Sequence, residues 1–152
     1  MFSIQVSAQR YKTAADTVRL NKEYAKVKAD IASLNADLLK AQNKLDSYRD
    51  NSMEAERDAR MAAEASSDRA RRARDGDIGD TRRAEKQAKK AHKQAKKSQS
   101  AKKDLQAHER KIAKLKEKIS DKQERLQELE TMRDELRIRF PAPSPTIAPA
   151  DR

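Results

Sequence analysis

Glycine and proline, the two residues that interrupt regular helix, are confined to two places in this chain. Both glycines, Gly76 and Gly79, lie near the midpoint, and all four prolines, Pro141, Pro143, Pro145 and Pro149, fall within the last twelve residues. Inside a helix a glycine costs about 1 kcal/mol and a proline about 3 kcal/mol relative to alanine, so helices end where these residues gather. Two uninterrupted segments remain, 8–74 and 81–139. Between them, residues 75–80 (Asp-Gly-Asp-Ile-Gly-Asp) read as a turn that closes on a helix cap, with Asp80 the expected cap of the second helix.

Both segments carry a heptad rhythm. In the first, Leu20, Tyr24, Val27, Ile31, Leu34, Leu38, Ala41, Leu45, Tyr48, Ser52, Ala55, Ala59 and Ala62 follow one another at alternating steps of four and three. In the second the row runs Ala84, Ala88, Ala91, Ala95, Ser98, Ala101, Leu105, His108, Ile112, Leu115, Ile119, Lys122, Leu126, Leu129, Arg133 and Leu136. It takes two steps of three in succession around Ser98, a phase slip that locally overwinds a coil. Folding one row onto the other about the glycines pairs Leu20 with Leu136, Val27 with Leu129, Ile31 with Leu126, Leu38 with Ile119 and Leu45 with Ile112. Nearer the turn it pairs Ala55 with Ala101, Ala62 with Ala95 and Ala73 with Ala84, and every pair of numbers adds to 156 or 157.

Large residues thus face large ones and alanines face alanines, a match independent of the shared rhythm. The expected fold is all-α: a long antiparallel two-helix coiled-coil hairpin, Ala-rich at its tip. The competing arrangement, one continuous helix in a parallel oligomer, must run helix through both glycines and three aspartates. Layers mixing polar with apolar residues, Leu34 with Lys122, Tyr24 with Arg133 and Tyr48 with His108, are of the kind that sets register.

Composition agrees with a thin structure. Leu, Ile, Val and Phe number only 22 of 152 residues, and 40% of the chain is charged. Too little apolar surface is present for a thick globular core, whereas the abundance of Ala, Glu, Lys, Arg and Leu suits long helices. The chain lacks cysteine, which excludes disulfides, thiolate nucleophiles and Cys-ligated zinc, and His92 and His108 lie too far apart to share one metal. Two glycines cannot build a phosphate-binding loop or a dinucleotide fingerprint, and no Ser, His and Asp arrangement has local support. The sequence therefore points to a non-enzymatic protein with no catalytic, cofactor or metal site. No apolar run reaches the roughly 20 residues of a membrane span, and the N-terminal residues lack signal-peptide order, so the expected location is the cytoplasm or a virion.

The ends differ from the helical segments. Phe2, Ile4 and Val6 alternate with polar residues over 1–7, an extended arm with no internal partner, and 140–152 is a Pro-rich tail carrying Phe140 and Ile147. These five residues are candidate partner-docking positions, which a hairpin would bring to the same end.

Charge gathers at the other end. Residues 82–103 carry Arg82, Arg83, Lys86, Lys89, Lys90, Lys93, Lys96, Lys97, Lys102 and Lys103 against the single acid Glu85, and Arg69, Arg71, Arg72 and Arg74 approach from the first segment. These fourteen cations suit a polyanion, with nucleic acid a candidate through its phosphates alone, because no groove-reading motif accompanies them. The opposing reading is that they solubilise a coil poor in apolar area.

The leading expectation is a structural or assembly protein docked by its termini to other proteins of a large complex, with a phage or viral particle as the setting and a homo-oligomer as an open arrangement. The alternative is a non-specific nucleic-acid- or ribosome-binding coil working through the basic tip. In length and hairpin layout the chain is similar to flagellar and type III secretion stalk proteins, which implies a secretion-apparatus stalk or chaperone as a third possibility. No motif accompanies that similarity, and it assigns no residue a role.

Overall fold

The computed structural model describes residues 14–74 and 76–139, and these form two helices packed against each other as a helical hairpin. Helix α1 spans Ala14–Ala73 and helix α2 spans Ile78–Arg139, with no strand among the described residues. The expected extended arm and Pro-rich tail, with Phe2, Ile4, Val6, Phe140 and Ile147, lie outside the described residues.

The second helix begins earlier than Asp80, because Asp77 is its cap. The Asp77 carboxylate accepts the Asp80 backbone N–H at 3.0 Å, and its carbonyl accepts the Asp80 and Thr81 N–H groups at 3.1 and 3.2 Å. Ile78 and Gly79 thereby become the first helical residues, and Asp80 stands at the third position, where its charge meets the positive end of the helix dipole. Neither glycine adopts a positive φ. Gly76 is required by close approach instead, since a Cβ there would sit 2.6 Å from Asp80 Oδ2 and 3.1 Å from the Arg72 carbonyl oxygen.

The chain divides into two compact units: a terminal unit, Met1–Asn35 with Glu117–Arg152, and a turn unit, Ala36–Lys116. In the terminal unit Leu20, Val27, Leu129, Met132 and Leu136 form a buried cluster, with Tyr24, Ile31 and Leu126 packed on it. Leu20 and Leu129 are wholly buried. Met132 is absent from the expected row. Its unbranched, adaptable side chain takes the interior place, while Arg133 stays exposed and lays its guanidinium 4.3 Å over the Tyr24 ring. The expected Tyr24 and Arg133 layer therefore exists as a cation–π contact beside the core.

Ion pairs join the two helices in both units. In the terminal unit Lys122 meets Asp30 at 2.8 Å, and Arg125 reaches Glu23 at 2.7 Å and Glu128 of its own helix at 2.6 Å. In the turn unit Lys102 meets Glu56 at 3.3 Å. The Lys122 hydrogen bond holds the Asp30 carboxyl below its ordinary range, and Lys102 does the same to Glu56. Hydrogen bonding to Glu23 raises the Arg125 guanidinium further above its ordinary value.

The turn unit buries smaller and more polar residues: Ala41, Ser52 and Ala62 on α1, and Ser98, His108 and Ile112 on α2. His108 Nε2 lies 2.8 Å from the Ala41 carbonyl oxygen, an acceptor, so this nitrogen carries the proton and donates. The ring stacks on Tyr48 with centroids 4.3 Å apart and planes inclined by 22°. The third mixed pair, Leu34 and Lys122, lines one cavity of about 480 Å³ in the terminal unit.

Candidate functional site

Which way the lysines of α2 face depends on which residues of that helix turn inward. On α1 every member of the expected row from Leu20 to Ala62 is buried or half-buried. On α2 the row is followed from Leu126 back to Ser98, but beyond that it departs from expectation. Gln94 and Gln87 are half-buried, whereas Ala95 and Ala88 are exposed. The inward row is thus Ala84, Gln87, Ala91, Gln94, Ser98, Ala101 and Leu105, with unbroken alternation of three and four and no phase slip.

The physical reason is one of scale. An alanine methyl contributes about as much as one buried CH₂, roughly 0.8 kcal/mol, too little to overwind a helix whose phase is already set by Leu105, Ile112 and Leu115. Glutamine tolerates the position because its stem can lie along the partner helix while its amide remains near water.

That phase sorts the basic residues by side. Stepping around α2 at about 100° per residue, the positions flanking the inward row on one side are Arg83, Lys90 and Lys97, then Lys86 and Lys93, then Arg82, Lys89, Lys96 and Lys103 on the outer ridge. The flank on the opposite side holds Ala88 and Ala95, then Glu85, His92 and Gln99. Of the ten cations between 82 and 103, only Lys102 falls on that second flank, and Lys102 is the one paired with Glu56 across the hairpin. Had Ala88 and Ala95 turned inward, the same lysines would straddle the outer surface more evenly.

All fourteen candidate cations are exposed. Arg69, Arg71 and Arg72 stand in the last turns of α1 and Arg74 just beyond it, while the other ten ride on α2. Arg69 joins Arg83, Lys86, Gln87, Lys89, Lys90 and Lys93 around a groove of about 570 Å³ in the turn unit. Among the described residues, four of the fourteen have acidic partners: Arg71 with Asp68 at 2.8 Å, Arg83 with Asp80 at 3.2 Å, Lys89 with Glu85 at 2.6 Å, and Lys102 with Glu56. The Lys89 contact lowers the Glu85 carboxyl and raises the Lys89 ammonium. Among the described residues, Lys86, Lys90, Lys93, Lys96, Lys97 and Lys103 have no such partner, so their charge is directed to solvent.

Sequence reasoning found the density of charge but not its sidedness, nor the place of Gln87 in the groove. The signal was present in the large residues of the second helix: counting back from Leu115 and Leu105 at strict alternation lands on Gln94 and Gln87. No described helix is long and apolar enough to cross a membrane, and no group of acidic and histidine side chains among the described residues could hold a metal ion. Comparison with family models, curated proteins and solved structures gives no match to this chain.

Proposed function

We propose that this protein is a non-enzymatic structural component, an antiparallel coiled-coil hairpin that serves as a spacer or connector in a larger assembly such as a virion. One observation carries this reading. In each unit the inter-helix contacts descend along one helix as they ascend along the other: Tyr24 reaches Glu130 and Arg133 while Asp30 reaches Lys122, and Ala41 reaches His108 while Glu56 reaches Lys102. Mixed polar layers of this kind fix a single register at some cost in stability, a property that matters more to a spacer than to a loosely packed helix pair. A two-helix hairpin buries one stripe per helix, so its outer surfaces remain open to partners.

Attachment through the ends follows from the apolar residues outside the heptad rows, Phe2, Ile4, Val6, Phe140 and Ile147. An extended arm can add to the edge of a partner sheet, and a proline-rich tail docks in grooves at low ordering cost. The test compares tagged full-length chain with a chain lacking 1–7 and 141–152, recovered from the native source. The truncated chain is expected to keep its helicity and lose its protein partners. Recovery of the same partners by both would refute attachment through the ends.

A second reading, binding of a polyanion by the turn unit, is favoured by the exposed cations around the groove at Arg69 and Lys90.

A further inference from the structure

We infer that the basic side of α2 in the turn unit is a track for the phosphate backbone of a nucleic-acid duplex, an inference that rests on the polyanion reading and specifies its ligand. Three observations converge on it. The first is sidedness: of the ten cations between 82 and 103, five lie on one flank and four on the outer ridge between the flanks, while the other flank holds Lys102 alone and is otherwise nearly neutral. Side chains that only keep an Ala-rich helix in solution have no reason to choose a side.

The second is linearity. Arg82, Lys89, Lys96 and Lys103 repeat at intervals of seven, and Lys86, Lys90, Lys93 and Lys97 fill the flank beside them at steps of four and three. Twenty-two helical residues extend about 33 Å. That is close to one turn of B-form duplex, about 34–36 Å, along which the phosphates present one negative charge per about 1.7 Å. A straight row of cations matches a stiff polyanion over its length without ordering either partner.

The third concerns what the face lacks. Single-strand binders gain about 1–3 kcal/mol per base by stacking on aromatic rings, and no Phe, Tyr or Trp occurs between 69 and 103. His92, the one ring in that interval, lies on the opposite flank. An acidic protein partner would ordinarily be anchored by an apolar or aromatic centre, whereas between 82 and 103 this face carries cations with Ser100 and the Gln87 amide and no large apolar or aromatic side chain. The duplex backbone asks for nothing else, so recognition is independent of base sequence.

The cations divide into two roles. Lys86, Lys90, Lys93 and Lys97 are without acidic partners among the described residues and line or extend the groove that Arg69 enters. Lys102, bound to Glu56, ties the helices together instead.

The test uses the full chain and three probes: a 30-base-pair DNA duplex, one of its strands, and heparin, each titrated across a range of salt concentrations. The duplex should bind most tightly, with log affinity falling linearly in log salt. Replacing Lys86, Lys90, Lys93 and Lys97 with Gln should make that slope shallower by about three to four, since each phosphate contact contributes about 0.9. Glutamine forms helix well, so circular dichroism should be unchanged. A control with equal loss of charge on the other helix, Lys22, Lys26, Lys28 and Lys44 of α1 to Gln, should leave the slope nearly as it was. An equal effect of the control would overturn the assignment to this face. Binding of the single strand as tightly as the duplex would overturn the duplex inference yet leave the polyanion reading standing, and failure to bind any of the three probes would remove both.

Discussion

The terminal and turn units are built from the same two helices, yet they are held by different means. In the terminal unit branched and long apolar residues, Leu20, Val27, Leu129, Met132 and Leu136, make a continuous buried cluster, and ion pairs from Asp30 and Glu23 flank it. In the turn unit the buried places described go to Ile112 and to the smaller or polar Ala41, Ser52, Ala62, Ser98 and His108, and specific polar contacts supplement a smaller apolar area. The larger apolar cluster lies in the first, and the excess of positive charge in the second. Small inward residues leave the turn unit little to lose by presenting a dense basic surface, whose self-repulsion a partner of opposite sign would relieve.

On that contrast, truncating Leu129 to Ala has the largest effect of any single core change. A wholly buried leucine in a cluster typically costs about 2–5 kcal/mol, and a marginal two-helix protein should lose much of its thermal transition. Ser52→Ala in the turn unit should move the melting temperature by far less, since the lost group is small and one methyl remains. Equal destabilisation by the two would erase the distinction between the units.

An intermediate effect is expected where the inward row departs from the heptad expectation. Gln94→Leu places an apolar side chain at a half-buried position and should raise stability by about 1 kcal/mol, whereas Ala95→Leu, on the exposed flank, should leave it within about 0.5 kcal/mol. The reverse order in thermal melts would restore the phase slip and dissolve the sidedness of the lysines.

How far the fold can be read from residues alone follows the same division. Where Leu, Ile and Val occupy the heptad rows, burial is unambiguous, and the clustering of Leu20 and Val27 with Leu129 and Leu136 is legible in the sequence. So are the contacts of Tyr24 with Arg133 and of Tyr48 with His108. Where alanine dominates, hydrophobicity carries little phase information, because Ala is nearly indifferent to exposure, and the pattern wrongly turns Ala88 and Ala95 inward in place of Gln87 and Gln94. Met132 escapes the pattern for a related reason: it and Arg133 compete for adjacent positions, and only packing decides between them. The helix cap at Asp77 is hidden among three aspartates and emerges from hydrogen bonding alone. The basic residues are evident as a set, but their arrangement on one side depends on a phase that Ala cannot report.

The smallest expected effect is on pH dependence. Asp30 and Glu56 have folded-state values below those of the unfolded chain, so their contribution is fully present above the ordinary carboxylate range near about 4 and is lost as pH falls through the lowered values. Both carboxylates are solvent-accessible, and the loss should appear as a modest fall in melting temperature between about pH 5 and pH 3. Asp30→Asn should diminish that fall for the contacts of the terminal unit, and Glu56→Gln for those of the turn unit. A melting temperature that rises on acidification in this interval would contradict the assigned role of these pairs.

The central claim is that one chain folds back on itself with α1 and α2 in the register set by Val27 and Leu129. The direct measurement is the mass of a Val27→Cys/Leu129→Cys chain, which has no other cysteine, after oxidation at low concentration. A disulfide-linked monomer, lighter by two hydrogens than the chain that thiol reduction regenerates and differing from it in gel mobility, is the predicted product. Covalent dimers of that variant joined only between equivalent positions of two chains, with no linked monomer at any dilution, would show a parallel pair instead and contradict the hairpin.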